Sequence, residues 1–171
     1  MKVNFFSQDY RVEPEKTDKV LGICDPEGEA CAYTTTEHGG DRWCATVHNP
    51  DEKRLLFIPI DKNIDIRRDN GEQESSCDGL IFAPATRELS FVELKAYHVG
   101  GYIAAAVPQL WTTLRYFLAN HHYEDYSNRR AYACNPVHPC FAVSARQQSS
   151  EFRKATHFRL MPQATIDFSN K

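Results

Sequence analysis

Apolar residues along this chain gather into short continuous runs in its middle and into a helical period after them. Leu55-Leu56-Phe57-Ile58-Pro59-Ile60 is a run of strand length. Pro59 has no N–H to give to a ladder, so the run belongs at a sheet edge or a strand end. Asp69-Asn70-Gly71 then marks a turn. Two further runs, Gly79 to Ala83 and Leu89 to Leu94, are separated by Pro84-Ala85-Thr86-Arg87 and predict a β-hairpin. Beyond Gly100-Gly101 the period changes. Val107, Leu110, Trp111, Leu114, Phe117 and Leu118 recur at i, i+3, i+4, i+7 spacing, the pattern of an amphipathic helix. Pro108 is expected in its first turn or at a kink, which places Gln109 at the helix start. Arg130 to Cys134 reads as a strand ended by Asn135-Pro136, Ser144 to Thr156 as a polar helix, and His157 to Phe168 as a last strand. Near the amino end, Val20 to Ile23 reads as a short strand or helix end. Residues 24 to 53, rich in Gly, Cys, His, Thr and Pro, read as irregular.

The order strand, hairpin, helix, strand predicts an α/β or α+β domain with a mixed central β-sheet flanked by helices. With 171 residues, 42% of them hydrophobic, the chain suits one domain, with a core at about residues 54 to 135 and an irregular extension over 1 to 53. No apolar stretch reaches the roughly 18 residues a spanning helix needs, so no membrane partner is expected. The start, MKVNFFSQDYRVEPEK, has no apolar h-region, so the expected compartment is cytoplasmic. A net charge of -3 offers no bulk attraction to nucleic acid, and any such partner must be argued from a site. The six cysteines are expected to be reduced thiols. Cys24, Cys31, His38, Cys44 and His48 supply donor types that zinc takes, as do Cys134, His138 and Cys140. None of the cysteine spacings suits a common zinc site, so both groups read as buried thiols and surface histidines. A zinc-stabilised interaction protein built around residues 24 to 48 is the corresponding alternative.

The hairpin carries the chemistry. A four-residue connection pairs residues whose numbers sum to 171, so Leu80 faces Phe91 and Asp78 faces Glu93. Like charges opposed across an antiparallel pair repel unless something neutralises them, and a hard divalent cation does so. Period two puts Lys95 on the face of Glu93, with Val92 and Leu94 turned to the other side. Two carboxylates for a cation, the backbone carbonyl of Leu94 as a further ligand, and an ammonium beside them match the needs of phosphodiester hydrolysis, in which negative charge gathers on phosphate and on the attacking and leaving oxygens. Gln109 is placed to position water or substrate. The bland reading has Asp78 capping the hairpin and Glu93 and Lys95 on a solvated strand face.

Cys77-Asp78-Gly79-Leu80-Ile81-Phe82, then Phe91-Val92-Glu93-Leu94-Lys95 after the hairpin, then a helix with Gln109-Leu110, resembles the PD-(D/E)xK nuclease superfamily. The resemblance implies a restriction-endonuclease-like core and cleavage of nucleic acid, DNA rather than RNA, with Mg²⁺ or Mn²⁺. It makes Asp78 and Glu93 metal ligands and Lys95 the catalytic lysine. Gln109 resembles the helix glutamine of the RecB-like group, although Thr113 stands where that group's Gln-x-x-x-Tyr pattern has tyrosine, and Tyr116 follows. Family members often carry a glutamate on a helix before the first strand, for which Glu37 and Glu52 are the candidates. A homodimer is compatible with this reading. The alternative from another class is a catalytically silent nucleic-acid-binding or regulatory protein with the same fold. Arg67-Arg68, Arg115, Arg129-Arg130 and Arg153-Lys154 would touch phosphates if they gather around the Glu93 face, and Tyr97, His98 and Tyr102 would stack on bases. His121-His122 are expected to interact with the carbonyls at the end of the helix.

Overall fold

The computed structural model describes residues 3–40, 42–95, 101–137 and 146–170. The elements run β1 (Val20–Cys24), β2 (Tyr33–Thr35), β3 (Trp43–His48), β4 (Leu56–Pro59), β5 (Gly79–Ala83), β6 (Glu88–Leu94), α1 (Tyr102–Leu118), β7 (Ser127–Cys134), α2 (Arg146–Thr156), β8 (Arg159–Met161) and β9 (Thr165–Asp167). They form an α+β architecture of two mixed sheets, a four-stranded one ordered β2-β1-β3-β9 and a five-stranded one ordered β4-β5-β6-β7-β8. In the larger sheet β4, β5 and β6 are antiparallel neighbours, whereas β7 runs parallel to β6 and β8 parallel to β7.

The larger sheet lies between two apolar layers. On one face Leu80, Leu89 and Phe91 pack against Leu110, Leu114 and Phe117 of α1 and Phe152 of α2. On the other, Ile81, Val92 and Leu94 pack against Leu21, Ile23 and Val47 of the smaller sheet. That double coverage explains why β6 is buried at every residue. A strand buried on both faces reads as a continuous apolar run rather than an alternating one.

The hairpin has the expected register: Leu80 pairs with Phe91, and Gly79 with Val92. Pro59 ends β4, the edge strand, as its missing N–H requires. Three expectations are corrected. Residues 24 to 53 are not irregular; Trp43–His48, with the strand-favouring Trp43, Thr46 and Val47, pairs with β1, and the Gly and Pro content falls in the connections. His157 to Phe168 is not one strand. It makes β8 on the larger sheet and β9 on the smaller, with Pro162 between them unable to continue a ladder. Pro108 lies inside α1, not in its first turn. Ala104, Ala105 and Ala106 extend the helix amino-terminally past it, because alanine has the strongest helix propensity. Gln109 is therefore mid-helix.

Gly79, directly after Asp78, sits where a Cβ would come within 2.6 Å of the Phe57 ring and 3.2 Å of the Ile58 carbonyl oxygen. Gly79→Ala is expected to push Phe57 from the layer between the sheets and lower stability by about 1–3 kcal/mol, read by urea denaturation.

Candidate active site

Asp78 stands one step beyond the last ladder pair of β5 and β6, and both neighbouring strands hold it. Its backbone carbonyl accepts the Ile60 N–H at 2.9 Å. Its carboxylate Oδ2 accepts the Leu94 N–H at 2.6 Å. Glu93 alternates with Leu89 and Phe91 along β6 and is 1% exposed. Lys95 continues the strand, its N–H donating to the Cys134 carbonyl of β7 at 2.8 Å. Its ammonium Nζ lies 2.5 Å from Glu93 Oε1. The three residues expected to form the site are thus brought together.

Burial sets the electrostatics. Desolvation raises the Asp78 pKa to about 7, against the Leu94 N–H, which favours the charged form. Desolvation also raises Glu93, to about 9; the charge of Asp78 adds to the rise and Lys95 opposes it. Glu93 Oε2 is buried with no hydrogen-bond partner among the described residues. An unsatisfied buried carboxyl oxygen costs on the order of 1–3 kcal/mol and calls for an explanation such as a bound ion.

Two carboxylates outside the expected set also act on this pair. Asp25, just after β1, and Asp61, just after β4, both raise the Asp78 pKa, and Asp61 raises that of Glu93. Asp25 is itself raised, first by burial, with Lys62 and Lys95 opposing. Both residues follow strand ends, and their sequence surroundings carry no signal that would have linked them to Asp78.

Thr113 is the clearest residue the sequence reading missed. It is fully buried on α1. Its Oγ1 accepts the Cys77 N–H at 2.8 Å and donates to the Gln109 carbonyl at 2.9 Å, so it ties the helix to the residue preceding Asp78. The available signal was a polar residue on the apolar face of the helix, where a hydroxyl must find a partner. Gln109 lies one turn before Thr113, and among the described residues its side chain makes no hydrogen bond to Asp78, Glu93 or Lys95.

Other candidates are placed elsewhere. Glu37 and Glu52 are exposed and outside any helix. Tyr102 is 6% exposed and belongs to the helix-side core, which removes it as a base-stacking residue. His121 accepts the Phe5 N–H and stacks on Phe117 in an aromatic cluster, rather than using its side chain on the helix-end carbonyls. Tyr97, His98, His138 and Cys140 lie outside the described residues. Cys24, Cys44, Cys77 and Cys134 are buried cysteines and Cys31 a half-buried one, none in a disulfide among the described residues. Arg67 pairs with Asp65, and Arg68 and Arg115 pair with Glu74, so these arginines do not gather around the Glu93 face. Among the described residues no group of three or more His, Cys, Asp or Glu side chains is arranged to hold a metal ion. No helix among them is long and apolar enough to cross a membrane. Compared with models of known protein families, with curated proteins and with solved structures, the chain has no match.

Two outcomes are expected. Thr113→Val leaves the Cys77 N–H without its acceptor and should cost about 1–3 kcal/mol of stability, seen as a lower urea midpoint. Asp78 and Glu93 have folded-state pKa values above their unfolded ones. The native state keeps protons that the unfolded state releases, so this contribution to stability is intact in acid and is lost as pH rises from about 4 towards about 9. Glu93→Gln should flatten that decline and, near pH 8 without divalent metal, stabilise the chain by on the order of 3 kcal/mol. Denaturation curves across the pH range check both the slope and its sign.

Proposed function

We propose that this chain is a metal-dependent nuclease of the PD-(D/E)xK type, hydrolysing phosphodiester bonds of nucleic acid, DNA rather than RNA. The observation that carries the reading is the pairing of two carboxyls, half-buried Asp78 and buried Glu93, with Glu93 Oε2 left without a hydrogen-bond partner among the described residues and an ammonium on the other oxygen. A structural ion pair would satisfy its oxygens. Here one acceptor position is left open beside a second carboxylate, an arrangement that a divalent cation relieves. The run of antiparallel β4, β5 and β6, followed by α1 and the parallel β7, is compatible with a restriction-endonuclease-like core.

The donor set suits Mg²⁺ or Mn²⁺. Mg²⁺ is held by one or two carboxylates and completes its shell with waters and phosphate oxygens, and the donors present here are oxygens of that kind. Asp78, Glu93 and the Leu94 carbonyl would hold the cation, which supplies Lewis-acid stabilisation of phosphate charge and a more acidic bound water. Lys95, anchored through Glu93 and the β7 backbone, has further N–H donors to orient the attacking water or to stabilise charge on the phosphate. The N–H of Leu94 fixes one Asp78 oxygen and leaves the other for the cation. Gln109, one turn from the Thr113 tie, is assigned to positioning water or substrate.

Separate losses are expected from two variants. Asp78→Asn removes a ligand charge and should lower Mg²⁺ affinity and cleavage together, while the amide oxygen still accepts the Leu94 N–H. Lys95→Ala leaves both carboxylates and should keep Mg²⁺ binding while cleavage falls by roughly a hundredfold or more. Calorimetric Mg²⁺ titration and a cleavage assay on linear, circular and single-stranded DNA read the two effects. Full cleavage by Lys95→Ala would refute its assigned role, and absence of Mg²⁺-dependent cleavage by the unaltered chain would refute the reading.

A further inference from the structure

At the other end of β7 from Lys95's partner Cys134, the surface is cationic. A hollow of about 260 Å³ is lined by Asn128, Arg129, Arg130, Arg153, His157 and Arg159. A second, of about 790 Å³, shares Arg153, His157 and Arg159 with it and continues over Ser149, Ser150 and Lys154. Among the described residues no aspartate or glutamate lines either one. Among the described residues none of these arginines, nor Lys154, forms an ion pair with a carboxylate, whereas Arg54, Arg67, Arg68 and Arg115 all do. In a chain of net charge -3 this concentration of uncompensated cations is local.

The groove is also built. Arg129 is fixed by the carbonyls of Tyr123 and Tyr126 at 2.9 and 2.8 Å, and Arg130 by that of Asp167 at 2.6 Å, so backbone oxygens hold them while their charge is not cancelled. His157 stacks flat on Tyr123, with ring centroids 3.9 Å apart. Two lining residues, Asn128 at φ 42° and His157 at φ 61°, adopt the left-handed conformation. For histidine this has a cost, and such strain clusters at ligand sites. Arg153 and Lys154 complement the carboxyl end of the α2 dipole. Arg130 and Arg159 are on strands, where no helix dipole calls for a cation.

We infer that this groove binds the phosphodiester backbone of a nucleic-acid strand, away from the bond cleaved. Guanidinium forks match phosphate oxygens in a bidentate way. From Ser149 to His157 the groove follows α2 for about 12 Å at 1.5 Å per residue, enough to face more than one phosphate of a strand that rises about 3.4 Å per nucleotide. It also shares a strand with the candidate active site: Ala133 of β7 pairs with Glu93 and Arg130 with Ser90. Three residues along a strand is about 10 Å. The β7 position that lines the groove and the one paired with Glu93 are therefore about 10 Å apart along the backbone. The inference rests on the nuclease reading for its choice of nucleic acid over another polyanion.

The test is fluorescence anisotropy of the full chain with a labelled DNA duplex and with its single strand, in EDTA so that nothing is cleaved, over a series of salt concentrations. Arg153→Ala with Arg159→Ala, both exposed positions, should weaken binding about tenfold or more and reduce the slope of log affinity on log salt by about 2. Lys154→Glu alone, also exposed, should act in the same direction, and Lys19→Ala, directly before β1, should change nothing. Thermal unfolding verifies that each variant is folded. Binding and salt slope unchanged in folded groove variants would overturn the inference, as would no binding by the unaltered chain, or competition by polyglutamate as effective as by unlabelled DNA. Metal-dependent cleavage by the unaltered chain with groove variants binding normally refutes the groove alone. Loss of binding in the groove variants with no cleavage by the unaltered chain refutes the nuclease reading alone.

Discussion

The register of β6 against β5 is the constraint on which both the core and the candidate site rest. Every residue of β6 is buried, so each side chain is committed to one face or the other. Leu89 and Phe91 fill the helix-side layer, and Val92 and Leu94 fill the layer against the smaller sheet. A slip of one residue would exchange these sets and carry Glu93 from one face to the other. The loop Pro84 to Arg87 holds the register, with Arg87 in the left-handed region at φ 55°. The same register brings Asp78 up to Glu93, so the charge contact is a consequence of apolar packing elsewhere in the hairpin.

Two glutamates on that one strand show what separates a structural buried charge from a candidate functional one. Glu88 is 3% exposed, and burial pushes its pKa up. Lys53 at 2.6 Å, the Thr86 hydroxyl and the Asn128 amide more than offset that, and its pKa is lowered. Glu93, five positions on by residue number, is as buried but has, among the described residues, one cation, a neighbouring carboxylate and an oxygen without a hydrogen-bond partner, and its pKa is raised. Among the described residues, compensation is complete at one end of β6 and incomplete at the other. Incomplete compensation costs stability and is expected where charge has a use outside folding.

The smaller sheet changes the picture of the amino-terminal third from an appendage to part of the site's enclosure. Its β1 ends at Cys24, directly before Asp25, and it covers the face of the larger sheet that carries Val92 and Leu94. Asp25 is itself raised by burial, and its charge acts on Asp78. On the opposite side, Thr113 ties α1 to Cys77. The helix thus anchors the residue before Asp78, and Leu94 and Ile60 give Asp78 its hydrogen bonds. The cationic groove lies further along β7, so one strand links both features.

Local chemistry along the chain was enough to determine the hairpin, its pairing, the edge position set by Pro59, and the meeting of Asp78, Glu93 and Lys95. These depend on period two, on loop length and on the missing N–H of proline, all of which act over a few residues. The extension of α1 past Pro108, the second sheet in residues 24 to 53, and the division of the last segment between two sheets depended on partners distant in sequence. β3 is flanked by β1 and β9, and β9 lies more than 110 residues later. Short strands with Gly and Cys around them have no pattern of their own and form because an apolar face is there to be covered. Tertiary structure alone also decided the raised pKa values, the orphaned Glu93 oxygen and the clustering of Arg130, Arg153 and Arg159, since burial and charge density depend on which elements pack together and not on their order along the chain.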